Sequence, residues 1–153
     1  MTRVKSKTLA TWLAVVGGGF GLHRFYLHGL RDVWGWVHVP MTLLGMAGVQ
    51  RMLAFGIDDH AAPWLLPLGG LSIVASMFAA ILGGLSSDER WDARHNPTAP
   101  AGQGTPPGGW LAVLGVITAL LVGTTMLLSS ITFTLQRYFE AQIEARIESS
   151  QRP

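Results

Sequence analysis

The sequence predicts an all-α integral membrane protein with about four transmembrane helices and an amphipathic helical extension at its C-terminus. Of its 153 residues, 49% are apolar and only 13% are charged, whereas soluble domains carry about 25% charged residues. Two segments, 61–85 and 109–135, contain no charged residue. Because roughly 20 apolar residues cross a bilayer, each of these segments is long enough to span one.

The first of the four helices is predicted over residues 8–27. Its apolar start, 8–22, follows a basic segment and therefore imitates a secretory signal peptide. Three glycines at 17–19 interrupt the run, and more apolar sequence follows in place of a cleavage site and a polar mature domain. We therefore predict a retained helix, with cleavage as the alternative.

The second helix is predicted over 33–55, and its polar residues set its expected shape. Pro40 should bend it, because proline removes a backbone donor and the freed carbonyl needs another partner. Arg51 lies near the helix end, from where its side chain can reach the membrane surface. A short polar connection, 56–62, leads to the next helix.

The third helix, 61–85, and the fourth, within 109–150, carry small residues at four-residue spacing. Such stripes allow helix backbones to approach closely in lipid, so we expect both helices to pack through them. The small residues are Ser72, Ser76, Ala80 and Gly84 in the third helix, and Gly115, Ala119 and Gly123 in the fourth.

Polar sequence separates and follows these two helices. Segment 86–108 is charged in its first half and rich in proline and glycine in its second, which is typical of a flexible loop. Beyond residue 135 the fourth helix should continue outside the membrane, because apolar residues recur at every fourth position beside an acidic stripe. The apolar positions are Leu135, Phe139, Ile143 and Ile147, and the acidic ones are Glu140, Glu144 and Glu148.

A motif at the end of the first helix reads Gly18-Gly19-Phe20-Gly21-Leu22-His23-Arg24-Phe25-Tyr26-Leu27. It resembles the signature of the TM2 domain family, G-x-x-G-x-(H/D)-R-F-Y-L-G. The matching positions are Gly18, Gly21, His23, Arg24, Phe25, Tyr26 and Leu27, whereas His28 replaces the final glycine.

The resemblance covers residues 5–58, about a third of the chain. Asp58 stands where the family often has an aspartate after its second helix, but the preceding tryptophan is missing. The resemblance implies a two-helix membrane hairpin with the motif at its turn, and it implies little chemistry.

The polar residues of the motif are consistent with a turn at the membrane surface. Arg24 must reach water or lipid phosphates, because a charge at mid-bilayer costs about 2.5–3.5 kcal/mol on insertion scales. Asp32 is a candidate partner for Arg24 or Arg31 across the turn. We interpret the motif as a structural turn; the alternative is that His23 and Arg24 bind a lipid headgroup or a partner.

No catalytic, metal or cofactor site is predicted. The chain has no cysteine, and no serine or threonine lies at motif spacing from a base. No carboxylate or thiolate completes a metal-ligand set with His23, His28 and His38. The basic residues form no clustered face of the kind that nucleic acid requires, so we predict neither an enzyme nor a nucleic-acid-binding protein.

Four spans would place both termini on one side of the membrane. That side would hold seven lysines and arginines and the other side four, which favours cytoplasmic termini. In the animal proteins that the hairpin resembles, the motif turn faces the cytosol, which would invert this orientation. We follow the charge count and expect a bacterial inner-membrane protein with both termini in the cytoplasm.

The predicted role is structural or interactive. The expected partners are the lipid bilayer and either further copies of the chain or another membrane protein, contacted through glycine-faced helices and the C-terminal tail. A subunit of a transport or channel system is the second hypothesis, since Pro40 and His38 lie within the second helix. A membrane enzyme acting on lipids is the third.

Overall fold

The computed structural model describes residues 4–56, 59–99, 104–105 and 107–151, and the described chain is helical with no strand. A 3₁₀ turn, Gly18–Phe20, separates the first two of six α-helices. The helices are α1 (Lys7–Gly17), α2 (Leu22–His28), α3 (Val33–Phe55), α4 (Ala62–Leu85), α5 (Asp88–His95) and α6 (Trp110–Gln151). Two of them, α4 and α6, are long and apolar enough to cross a membrane.

Helices α4 and α6 run antiparallel and contact each other at small residues. Gly84 faces Val116 near one end, Gly123 faces Met77 in the middle, and Gly70 faces Ser130 near the other end. Ser72, Ser76, Ala80 and Ala119 are buried, which confirms the predicted packing through small residues. Ala14 of α1 completes the core with Met77, Ala80 and Ala119.

Helix α3 packs antiparallel on another side of α4, at a crossing where two glycines meet. A Cβ atom added to Gly45 would lie 2.4 Å from the Cα atom of Gly69, so only glycine allows this approach. Helix α3 has the predicted bounds and remains one helix through Pro40.

The segment predicted as one helix, 8–27, is divided in the structure. Helix α1 ends at Gly17, and Gly21 adopts a left-handed φ of 73° after the 3₁₀ turn. Side chains other than glycine rarely adopt this conformation, and a Cβ atom on Gly21 would also lie 2.3 Å from the carbonyl oxygen of Gly35. The chain therefore reverses direction here instead of continuing as a helix.

Helix α2 returns to the end of the molecule from which α1 starts. The backbone amide of Ser6 donates to the Tyr26 hydroxyl at 2.8 Å, and the Lys5 ammonium donates to the Leu27 carbonyl oxygen. We call 7–28 the re-entrant hairpin and this end of the bundle the Lys5 end. The tip of the hairpin, at Gly19, lies beside the middle of α4 near Ile73.

Within segment 86–108, which the sequence predicts as a flexible loop, the described residues include a helix. The first half of the segment forms α5, which is capped by the Ser87 hydroxyl accepting from the Arg90 amide. Thr105, in the second half, hydrogen-bonds to Asp92 of α5. Residues 100–103 and 106 lie outside the described residues, as does Asp58.

Helix α6 is much longer than its packing partner. Ser130 faces Gly70, and α4 begins eight residues before Gly70, at Ala62. In this antiparallel register α6 passes the start of α4 near residue 138 and continues to Gln151. At 1.5 Å per residue, roughly 20 Å of helix projects beyond the bundle. This confirms the predicted helical extension.

Candidate functional site

The motif turn is fixed by an ion pair between Arg24 and Asp32. The Arg24 Nε atom lies 2.6 Å from Asp32 Oδ2, and Nη2 lies 3.2 Å from Oδ1. Asp32 also caps α3 by accepting from the Trp34 amide. The hydrogen bond and charge of Arg24 lower the pKa of the Asp32 carboxyl despite partial burial. Of the two arginines considered from the sequence, Arg24 makes this pair.

The other motif residues hold the re-entrant hairpin against its neighbours. Gly18 faces Ser76 of α4, and the Phe25 ring packs against Gly35 and, at 5.2 Å between centroids, against the Trp36 ring. Tyr26 and Leu27 bond to the N-terminal segment. His23 is 4% exposed. Of the side-chain polar atoms in the described motif residues, only its Nδ1 atom is buried without a hydrogen-bond partner.

A polar cluster surrounds the tip of the hairpin at mid-depth in the bundle. The Gly19 carbonyl oxygen accepts from the Thr42 hydroxyl and, at 3.1 Å, from the Ser72 hydroxyl. The His38 Nδ1 atom lies 2.8 Å from the Ser72 oxygen. A buried backbone carbonyl needs a hydrogen-bond partner, and these side chains supply two for the non-helical turn.

The backbone of Lys5 is the centre of a hydrogen-bond cluster at the Lys5 end. Its carbonyl oxygen accepts from Trp91 Nε1 at 2.8 Å, Asn96 Nδ2 at 3.1 Å and the Thr105 hydroxyl at 3.2 Å. Its amide donates to Asn96 Oδ1 at 2.7 Å. Hydrogen bonds from Thr105 and then Asn96 lower the pKa of the Asp92 carboxyl. The N-terminal segment is thereby joined to α5 and the following segment.

A second ion pair fastens α1 to the start of α5. The Lys7 Nζ atom lies 2.5 Å from Asp88 Oδ1 and 3.0 Å from the Ser86 carbonyl oxygen. The Lys7 side chain is only 7% exposed. Its positive charge is therefore neutralised by Asp88 inside the structure.

A pocket of about 380 Å³ lies between the re-entrant hairpin, α4 and α5. Its lining divides into a basic part and an apolar part, and no carboxylate among the described residues lines it. The basic part consists of His23, Arg24, His28, Arg90, Arg94 and His95, and the apolar part includes Ala10, Ala14, Leu27, Ala79 and Leu82. We call this cavity the basic pocket.

The environment of the basic pocket lowers the pKa of His95, the histidine that α5 contributes to the lining. Burial first, and then the positive charge of Arg94, lower the pKa of His95. His95 also packs on the Trp91 ring at 4.3 Å between centroids and lies 6.3 Å from the His28 ring. A lowered pKa favours the neutral imidazole, so the positive charge of the pocket is carried by Arg24, Arg90 and Arg94.

The sequence-based site residues are only partly brought together. His23 and Arg24 line the basic pocket, whereas Gly18 and Phe25 pack elsewhere on the hairpin. No three histidine or acidic side chains of the described residues are grouped to hold a metal ion. Sequence reasoning missed the contribution of α5, although the four-residue spacing of Arg90 and Arg94 already placed both on one helical face.

The comparisons with known proteins leave the function to be argued from this geometry. No family model, curated protein or solved structure matches the chain.

Proposed function

We propose that this chain is a multi-pass membrane protein with a structural or protein-interaction role, and that it is not an enzyme. The observation that carries the proposal is the projecting part of α6. Phe139, Ile143 and Ile147 are 56%, 58% and 50% exposed there, at four-residue spacing and beyond the reach of α4. A helix with such an apolar stripe gains stability when a partner covers it.

The arrangement of the helices supports a membrane location with three crossings. Helices α4 and α6 are long and apolar enough to cross, and α3 is antiparallel to α4 and of similar length. The re-entrant hairpin enters and leaves from the Lys5 end, so it adds no crossing. The two termini of the bundle then lie on opposite sides of the membrane.

The charge distribution orients this three-crossing arrangement. Of the nine lysines and arginines in the described residues, six lie at the Lys5 end: Lys5, Lys7, Arg24, Arg31, Arg90 and Arg94. Arg51, Arg137 and Arg146 lie at the other end. Positive residues concentrate in the cytoplasm, so we place the Lys5 end there and the C-terminal tail across the membrane. This differs from the cytoplasmic C-terminus expected from four spans.

The exposed stripe suits a second copy of the chain or another membrane protein, and cross-linking in native membranes tests this. We expect the tagged full-length chain to give discrete cross-linked products, and the double variant Ile143→Ser/Ile147→Ser to lose most of them. The matched control, Glu144→Gln/Glu148→Gln, alters the adjacent exposed face of the same helical turns. Equal yields from both double variants would overturn the interaction role of the stripe.

The re-entrant hairpin favours a second candidate, a subunit of a transport or channel system. Transporters build midplane sites from discontinuous helices whose freed carbonyls coordinate ions, and the Gly19 carbonyl lies at such a break beside Thr42, Ser72 and His38. Flux of monovalent cations into proteoliposomes, reduced by Ser72→Ala but not by Ser149→Ala on the exposed tail, would support this function. Absence of flux from the wild-type chain would exclude it as an independent transporter.

A further inference from the structure

The charge in the basic pocket is only partly neutralised by the protein. Arg24 is paired with Asp32, but neither Arg90 nor Arg94 forms an ion pair with any carboxylate of the described residues. Two like charges at this four-residue spacing destabilise a helix slightly. An anion in the pocket would remove that repulsion.

Hydrogen-bond donors also converge on the pocket from both of its sides. The Arg24 guanidinium has five N–H groups, and its pair with Asp32 uses only two of them. His28 and His95 face the same space. Phosphate oxygens match this set of donors, and arginine binds phosphate with charge-assisted hydrogen bonds.

The apolar part of the lining indicates what else the ligand carries. Arg90, Arg94 and His95 belong to α5, outside the charge-free helix α4, whereas Ala79 and Leu82 lie within the last two turns of α4. The lining of the pocket therefore changes from basic at the Lys5 end, beside α5, to apolar deeper in the bundle, along α4. A lipid presents a phosphate and an acyl chain in the same order across the membrane surface.

From these observations we propose that the basic pocket binds a phosphate group, and that its apolar wall selects the phosphate of an anionic phospholipid. The site requires α5 to be held against the re-entrant hairpin, which the Lys5 cluster and the Lys7–Asp88 pair accomplish. This role is separate from the interaction stripe on α6, at the other end of the bundle.

Native mass spectrometry of the full-length chain in a neutral detergent tests the proposal. The probes are phosphatidylglycerol, phosphatidylcholine with the same acyl chains, and inorganic phosphate. We expect phosphatidylglycerol to be retained preferentially, and Arg90→Gln/Arg94→Gln to weaken its retention by about tenfold or more, because charge-assisted hydrogen bonds are lost. The variant Arg90→Gln/Arg94→Lys should retain part of the binding that Arg90→Gln/Arg94→Gln loses, because lysine keeps the positive charge at position 94.

The matched control is Arg31→Gln/Arg146→Gln, which removes the same charge from two exposed positions outside the lining. Equal weakening in the control would show general charge attraction and overturn the site, as would equal retention of the two lipids by the wild-type chain. Displacement of the lipid by equimolar inorganic phosphate would assign the site to free phosphate. Resistance to that displacement would assign it to the lipid.

Discussion

The backbone amide of Ser6 donates a hydrogen bond of 2.8 Å to the hydroxyl of Tyr26, twenty residues along the chain. A straight helix would separate these positions by roughly 30 Å. The contact therefore requires the chain to turn back between them, which it does at Gly17–Gly21. In the membrane arrangement proposed above, this relationship leaves three crossings in place of the four expected from the sequence.

The first prediction concerns topology. Reporter fusions at the N-terminus and after Gly104 should read the same compartment, and a fusion at the C-terminus should read the opposite one. The physical reason is that the re-entrant hairpin returns α2 to the Lys5 end. Four full spans would instead give both termini one compartment and Gly104 the other, so the paired reporter activities separate the two arrangements.

The second prediction concerns the crossing of α3 and α4. Alanine usually stabilises a helix relative to glycine by about 1 kcal/mol, but Gly45→Ala should destabilise the protein by about 1–3 kcal/mol through overpacking. The added Cβ atom would lie 2.4 Å from the Cα atom of Gly69. Thermal unfolding in detergent, followed by tryptophan fluorescence, measures the change.

Gly109→Ala is the control for this substitution, because nothing lies within 4 Å of a Cβ atom built there. Its melting temperature should remain close to that of the wild-type chain. A Gly45→Ala protein that melts at or above the wild-type temperature would contradict the close backbone approach.

The third prediction concerns the turn ion pair. Asp32→Ala should destabilise the protein by about 0.5–2 kcal/mol, because it removes the cap of α3 together with the partner of Arg24. Asp32→Asn retains a cap oxygen and loses only the charge, so its melting temperature should fall between those of the wild type and Asp32→Ala. Identical melting temperatures for the two variants would show that capping contributes nothing.

The fourth prediction concerns pH and the connection between α3 and α4. Arg51 makes two hydrogen bonds to Asp59, at 3.1 and 2.7 Å, and Asp59 also accepts from the amides of Ala61 and Ala62. The Arg51 hydrogen bond, followed by that from Ala62, lowers the pKa of Asp59 to about 2. A depressed carboxyl pKa stabilises the folded state above the unfolded value and loses this contribution as pH falls through the folded value.

Melting temperatures of the wild type and Asp59→Asn should therefore differ by a constant amount above about pH 5. The gap should narrow as pH falls below 3.8 and close near the folded pKa of about 2. Asn keeps an oxygen for the α4 amides, so the comparison isolates the charge. A gap that is independent of pH down to 2 would contradict the assigned pKa.

The sequence predicted the long helices well because their signal is local. Charge-free composition and flanking polar residues placed the third and fourth helices within about one residue of α4 and α6. The break in 8–27 depended on tertiary contacts instead, since Thr42 and Ser72 satisfy the Gly19 carbonyl from other helices. The glycines at 17–19 were visible as an interruption, but their composition alone does not distinguish a tight packing face from a reversal.

The basic pocket could not be predicted from the sequence for a related reason. It joins Arg24 and His28 of α2 to Arg90, Arg94 and His95 of α5. These two groups are more than sixty residues apart, and no periodic pattern links them. Their approach depends on how α5 is held beside the hairpin, which local propensity does not determine.

The three hydrogen bonds on the Lys5 carbonyl oxygen have a consequence for the order of folding during synthesis. Their donors lie 86, 91 and 100 residues later in the chain. Trp91 and Asn96 must therefore emerge from the ribosome before they can donate to the Lys5 carbonyl oxygen. Thr105 completes the cluster last. The N-terminal segment is therefore not fully attached to α5 and the following segment until the chain has been made through Thr105, whereas its hydrogen bonds to Tyr26 and Leu27 can form much earlier.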